Sequence, residues 1–362
     1  MHYAYVTLVP KMKSSIFNAV GDFFALDIGS SAIRVAQLRG SGAHQTLVKY
    51  GAVAVDVKTS LSDAPADQIK IAEAVKGLVA EVGIATRNVV VGLPSSKTFV
   101  TIVDLPKMSS QELGGTIKYQ ADQFIPMAVD EAKIDWAVIG DSPVDANKIE
   151  VLLASVANKF SEQRLELLES IGLNVIGLEP DSLALARALT PSQATSTAQV
   201  IVDVGEYSTD IVITLAGLPR LVRSIPTGGQ TMVRAAAQNL SVEDNQANQL
   251  MYKFGLDKTK LEGQVARALE PSVESISAEI QKSMKFYSTR YHESAIANIS
   301  MTGVAAIVPG FGEYLAQATG VQSVQVGNSW QNVSYSNSVH EQVMSVNHQF
   351  AVAVGLAEWN AV

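Results

Sequence analysis

Two short segments of the chain share one pattern of apolar and polar positions. In FFALDIGSSAIRVAQL, residues 23–38, an apolar run meets an aspartate, a glycine and two serines before β-branched and apolar residues resume. In AQVIVDVGEYSTDIVITLAG, residues 198–217, the same order returns, with Asp203 standing 176 positions after Asp27. A core strand needs no such break, whereas a β-hairpin that bends around an anion does. The recurrence predicts a duplicated architecture of two related α/β halves.

Around these segments, strand patterns occupy residues 25–28, 33–38, 47–55, 88–93, 98–104, 134–139, 149–156, 174–178 and 298–301. Helical spacing of Ile69, Ala72, Val75, Val79 and Val82 predicts a helix over 66–82 with those residues on its buried face. Ser109-Ser110-Gln111-Glu112 is a capping box that opens a helix running to Phe124, and Pro126 ends it. Further helices are expected at 160–170, 182–189, 231–239, 242–254 and 272–292, with a final one ending in AVAVGLAEW. The polar run TPSQATST, residues 190–197, marks a boundary. Residues 1–22 read as an N-terminal tail in which Met12, Ile16, Phe17, Val20 and Phe24 recur at helical spacing. A short helix docked on its own domain is favoured there over a membrane-surface helix, because Lys11 and Lys13 are the cations of its polar face. The domain reading is a tail over 1–22, a first half-lobe over 23–106, an inserted subdomain and return over 107–190, and a second lobe over 191–362.

Composition narrows the chemistry. The 362 residues contain no cysteine, which removes disulfides and thiolate catalysis and fits a reducing compartment. The formal charge of −8 argues against a nucleic-acid partner. No apolar run reaches the roughly 18–20 residues of a membrane span, and the N-terminus shows no signal-peptide pattern, so a cytoplasmic protein is expected. His340-Glu341 and His348 lack the H-E-x-x-H spacing of a zinc site.

Each D-x-G turn has the parts of a phosphate site. Gly29 and Gly205 permit close backbone approach, and successive amides can form an anion nest. Ser30, Ser31, Ser208 and Thr209 add hydroxyl donors. Asp27 and Asp203 repel phosphate directly and are useful there if they hold Mg²⁺. Two surface hairpins without a ligand are the bland alternative, which the duplication disfavours. There is no P-loop motif. Pro226-Thr227-Gly228-Gly229-Gln230 opens a helix whose N-terminus can face phosphate or ribose, and Thr302-Gly303-Val304 ends a strand in a turn that can pack on a nucleoside. Glu179 and Asp181 place two carboxylates at a strand end; a helix cap by Asp181 is favoured over a contact with the nucleotide's water.

These elements in this order resemble the actin-like ATPase superfamily, and more closely the PilM family of type IV pilus assembly, with the FtsA proteins as relatives. The opening hairpin, Ala121-Asp122-Gln123-Phe124-Ile125-Pro126 with VDEAKIDWAVIG, the stretch from KIEVLLASVANKF to SLALARAL, the GGQ turn and the closing VAVGLAEW carry the resemblance over residues 23–359. It implies an actin-like (ribonuclease H-like) duplicated two-lobe fold with a small inserted subdomain and a nucleotide cleft for ATP and Mg²⁺. It places Arg34 where many relatives have a lysine, as a phosphate contact or a strand-face residue. It implies a cytoplasmic scaffold of type IV pilus, or related type II secretion, assembly. Such a scaffold binds the N-terminal cytoplasmic peptide of an inner-membrane PilN-like protein beside the inserted subdomain and meets the membrane only through partners. Contact with a pilus motor ATPase and self-association are further partners that it allows.

The chain departs from the family pattern at Asn248 and Met251, where a Glu and a Lys face the nucleoside, and at Val304, where a second glycine is usual. Phosphate binding is therefore better supported than adenine recognition, and at most slow ATP turnover is expected. A small-molecule kinase of the same superfamily and an FtsA-like filament protein are the alternatives.

Overall fold

The computed structural model describes residues 21–40, 45–191 and 197–359. The docked-helix reading of the tail and most of the TPSQATST boundary lie outside the described residues. The chain divides into two compact units: unit 1 holds residues 1–188, 330–340 and 352–362, and unit 2 holds residues 189–329 and 341–351. The division falls beside the predicted boundary. Residues 330–340 and 352–359 group with unit 1.

Unit 1 runs β1 (Phe24–Ile28), β2 (Ala32–Arg39), β3 (Gln45–Ala54), α1 (Val57–Ser60), α2 (Pro65–Val82), β4 (Asn88–Leu93), β5 (Thr98–Pro106), α3 (Ser110–Gln120), β6 (Ala132–Asp141), β7 (Lys148–Ala157), α4 (Asn158–Ser170), β8 (Asn174–Pro180) and α5 (Asp181–Leu189). A six-stranded sheet takes the order β3-β2-β1-β4-β8, with the short strand Val333–Ser334 at the β3 edge. β1 is central, antiparallel to β2 and parallel to β4, and all of its residues are buried. That explains its unbroken apolar run: both faces of the strand are covered.

α2 buries Ile71, Ala72, Val75 and Leu78, whereas Ile69 is 59% exposed. The true stripe is rotated relative to the predicted one, which included Ile69. β5 joins β7 and β6 in a separate antiparallel sheet of order β5-β7-β6. α3 covers this sheet, with Leu113 and Ile117 packed against Leu105, Val151 and Leu153. Each such buried side chain contributes about 1.5–3 kcal/mol. The predicted capping box is present: Ser109 Oγ accepts from the Glu112 amide, and Glu112 Oε2 accepts from the Ser109 amide at 2.9 Å.

Unit 2 runs β9 (Ala198–Val204), β10 (Thr209–Leu215), β11 (Leu218–Ile225), α6 (Gly229–Leu240), α7 (Asp244–Phe254), α8 (Gln264–Arg290), β12 (Ile296–Gly303), α9 (Phe311–Thr319) and β13 (Val324–Val326). Its sheet has the order β11-β10-β9-β12-β13, and its core gathers β9, β10, β12 and one face each of α6, α7 and α8. α8 starts before its predicted start and passes through Pro271. That proline lies on the exposed face, where water can satisfy the carbonyl it leaves unpaired.

Candidate functional site

The two D-x-G segments form hairpin turns of the same construction, one in each unit. In unit 1 the Gly29 amide donates to the Ala32 carbonyl at 3.0 Å, and in unit 2 the Gly205 amide donates to the Ser208 carbonyl at 2.9 Å. The aspartates occupy matching places, each directly opposite the residue seven positions later: Asp27 faces Arg34, and Asp203 faces Asp210.

The unit 1 turn is held from behind. Ser60 Oγ donates to the Gly29 carbonyl at 2.7 Å, and the Val55 amide donates to the Ser31 carbonyl at 3.0 Å. Ser30 and Ser31 are half-buried, and among the described residues their amides join no backbone hydrogen bond. Two amides and two hydroxyls in this arrangement can receive an anion. Arg34 Nη1 lies 3.5 Å from Asp27 Oδ2 and would stand 3.3 Å from a Cβ at Gly29. Arg34 Nε is sealed from solvent without a hydrogen-bond acceptor. Burial pushes the Asp27 carboxyl up, and the charge and hydrogen bond of Arg34 pull it down without cancelling the rise. This donor set suits an anion beside a guanidinium. It does not suit a divalent cation, which the arginine would repel. Among the described residues no group of three or more His, Asp or Glu could hold a metal ion. A Mg²⁺ here would therefore have to be shared with a ligand's phosphates, and Asp203, opposite a second carboxylate, is the better placed of the two aspartates.

The unit 2 turn is braced by backbone. The Gly229 and Gln230 amides donate to the Gly205 and Glu206 carbonyls at 2.9 and 2.8 Å, and the Thr231 and Met232 amides both donate to the Gly228 carbonyl. The Gly229 and Gln230 amides at the start of α6 are thus spent on the turn. A Cβ at Gly228 would stand 2.7 Å from the Glu206 carbonyl oxygen, so glycine is required by close approach. Gly303 has φ +77°, and a Cβ there would stand 2.5 Å from Asp203 Oδ1. The Asp203, Gly228–Gly229 and Gly303–Val304 elements therefore do come together.

Several expected ligand groups are already committed. Thr209 is buried and its hydroxyl donates to the Thr227 carbonyl at 2.7 Å, so it ties the hairpin to the α6 turn. The Thr302 hydroxyl donates to the His348 carbonyl at 2.9 Å. Met251 is buried in the unit 2 core, and Val304 packs against that core with a methyl directed at Gly229. Asn248 remains half-buried on α7, and Ser208 on its turn. Glu179 is fully buried and ion-paired with Arg187, Nη1 to Oε2 3.0 Å, which removes it from any ligand's water.

The structure adds Glu206, whose Oε2 would stand 3.8 Å from a Cβ at Gly229. Tyr252, on α7, has its phenol pushed up to about 12 by burial and by the Glu206 charge, so it stays a hydroxyl donor. The signal for Glu206 was in plain view, directly after the D-x-G, but an acid in a phosphate turn runs against the expected charge.

The described residues contain no helix long and apolar enough to cross a membrane. The fold is similar to that in a structure of a PilM–PilN type IV pilus biogenesis complex, with TM-score 0.81 and 20% identity over 94% of this chain and 98% of that one. It is also similar to the ethanolamine utilization protein EutJ from Carboxydothermus hydrogenoformans, with TM-score 0.56 and 15% identity over 98% of this chain and 92% of that one. A third likeness is to MreB5 of Spiroplasma citri bound to AMPPNP, with TM-score 0.52 and 11% identity over 92% of this chain and 94% of that one. These likenesses give the fold as actin-like. The family model for type IV pilus assembly protein PilM matches residues 25–359, and the chain belongs to that family.

Proposed function

We propose that this protein is a cytoplasmic, nucleotide-binding scaffold of type IV pilus assembly that recruits the N-terminal cytoplasmic peptide of an inner-membrane PilN-like protein. The observation that carries the reading is the family match over residues 25–359, supported by the fold it shares with a PilM–PilN complex. The amides and hydroxyls of Ser30 and Ser31, with Arg34, receive phosphate in unit 1. In unit 2, Asp203 is the carboxylate to hold the waters of a Mg²⁺ that arrives with ATP, where the ion would neutralise phosphate charge. Turnover is slow or absent. No general base is positioned by these groups, and Glu179, the carboxylate nearest that description in sequence, is sealed by Arg187. Co-purification tests the reading: the tagged chain retains a detergent-solubilised PilN-like partner, and the partner lacking its N-terminal cytoplasmic segment is lost. Equal retention of both forms, or of neither, contradicts it.

A further inference from the structure

Residues 352–359 form a strap on α5 and β8, and all of them but Val352 are buried. Gly355 of the strap meets the Ala184 carbonyl of α5 so closely that no Cβ could stand there. A Cβ at Gly177 of β8 would stand 3.0 Å from the Trp359 ring, which Phe23 meets edge-on with the ring centroids 6.4 Å apart. At this seat one guanidinium serves two carboxyls. Arg187 Nη1 donates to Glu179 Oε2 at 3.0 Å, and Arg187 Nη2 donates to Glu179 Oε1. Arg187 Nη1 donates also to the Gly355 carbonyl of the strap. Its two terminal nitrogens are thus spent. Glu358, at the end of the strap, is 2% exposed. Its carboxyl is hydrogen-bonded to Asn332, and its Oε1 is sealed from solvent without a hydrogen-bond partner.

The charges at this seat do not balance if both carboxyls are ionised. The groups that act on Glu358 are Arg187 of α5, the neutral Asn332 of residues 330–334 and, through the shared arginine, Glu179 of β8. A second buried anion without a cation of its own is costly, so one of the two carboxyls carries a proton. Glu179 holds both terminal nitrogens of Arg187 and keeps its charge. Glu358 keeps the proton, because a neutral carboxyl tolerates an unmade hydrogen bond far better than an anion does. Burial pushes the Glu358 carboxyl up to about 8, against the pull of Arg187 and of the Asn332 hydrogen bond.

We propose that Glu358 is a proton-operated latch: with its proton it holds the strap down, and loss of that proton to solvent frees residues 352–359 from α5 and β8. The hold is complete below the ordinary carboxyl value of 4.5 and is lost as pH climbs through about 8, since the folded state binds the proton more tightly than the freed strap does. Hydrogen–deuterium exchange of the full chain at about pH 7 and about pH 9, corrected for the intrinsic pH dependence of exchange, tests the latch beside Glu358→Gln. Protection of residues 352–359 is expected to fall about tenfold in the unaltered chain, because each pH unit above the folded value shifts such an equilibrium about tenfold. In Glu358→Gln it is expected to change by less than about twofold, since no proton is left to lose. β9 and β10 are expected to keep their protection in both proteins. If Glu358→Gln fails to fold, Glu358→Met, neutral and of like length, takes its place. Strap protection that does not change with pH in the unaltered chain overturns the proposal. So does an equal fall in the neutral variant, which would assign the proton to Glu179. Loss of protection in β9 and β10 together with the strap overturns it as well, because the strap would then not open on its own.

Discussion

The two hairpin turns share a sequence pattern, a closing hydrogen bond and a register, yet they are stabilised differently. In unit 1 the aspartate faces Arg34, and a buried ion pair stands behind the turn. In unit 2 the aspartate faces Asp210, and neighbouring backbone crowds the turn at Gly228 and Gly303. The first turn sets its aspartate across from an arginine, and the second sets its aspartate across from another carboxylate. A phosphate bound as proposed would meet the Arg34 guanidinium at the first turn, while one at the second would gain from a metal it brings with it. The two turns share the bend and differ in their facing charges.

The largest expected effect is at Asp27. Asp27→Ala leaves Arg34 buried without its carboxylate, and should cost about 3 kcal/mol of stability in urea denaturation. A change below about 0.5 kcal/mol would mean that charge is not what holds the first turn. Next come the unit 2 glycines. Gly303→Ala combines a left-handed backbone with a clash at Asp203 and should cost about 2 kcal/mol by the same denaturation measurement. Gly29→Ala, where φ is negative and the nearest atom is the Ala32 oxygen at 3.0 Å, should cost less. The reverse order would break the comparison.

Arg34→Ala should lower affinity for ATP in EDTA about tenfold, about 1.4 kcal/mol, and lower it less with Mg²⁺ present. Calorimetry in the two buffers checks this, and an equal loss in both would remove the built-in-cation argument. A pH slope in unit 1 is a separate expectation. Burial pushes Glu358 up to about 8, with Arg187 and a hydrogen bond from Asn332 pulling the other way. A carboxyl raised in the folded state adds stability that is complete below its unfolded pKa of 4.5 and is lost as pH climbs through about 8. Melts between pH 5 and 8 should fall by up to about 1.4 kcal/mol per pH unit from this group, and Glu358→Gln should flatten that part of the slope. A variant with the unaltered slope would show that Glu358 does not titrate there.

What could be read from sequence follows from where the signal was local. The turns at Asp27 and Asp203 and the capping box at Ser109 depend on a few adjacent residues, and all three stand as expected. β11 escaped notice because Leu218-Pro219-Arg220-Leu221-Val222-Arg223 lacks alternation and carries a proline. It is an edge strand, where a missing donor is tolerated. Met251 was read as a departure at a ligand position, but its helical face turns it into the core. Arg164 shows the opposite failure: a charged residue on an apolar stripe reads as a surface position until the packing is seen.

The central claim is that this chain works by holding a peptide rather than by turning over a substrate. A single titration follows peptide anisotropy and phosphate release together while the cognate PilN-like N-terminal peptide is added to the full chain in Mg-ATP. The account predicts saturable micromolar binding, about −8 kcal/mol, with phosphate release no faster than in the absence of peptide. Rapid phosphate release on a small-molecule acceptor with no anisotropy change would contradict it and move the protein to the kinase branch of its fold.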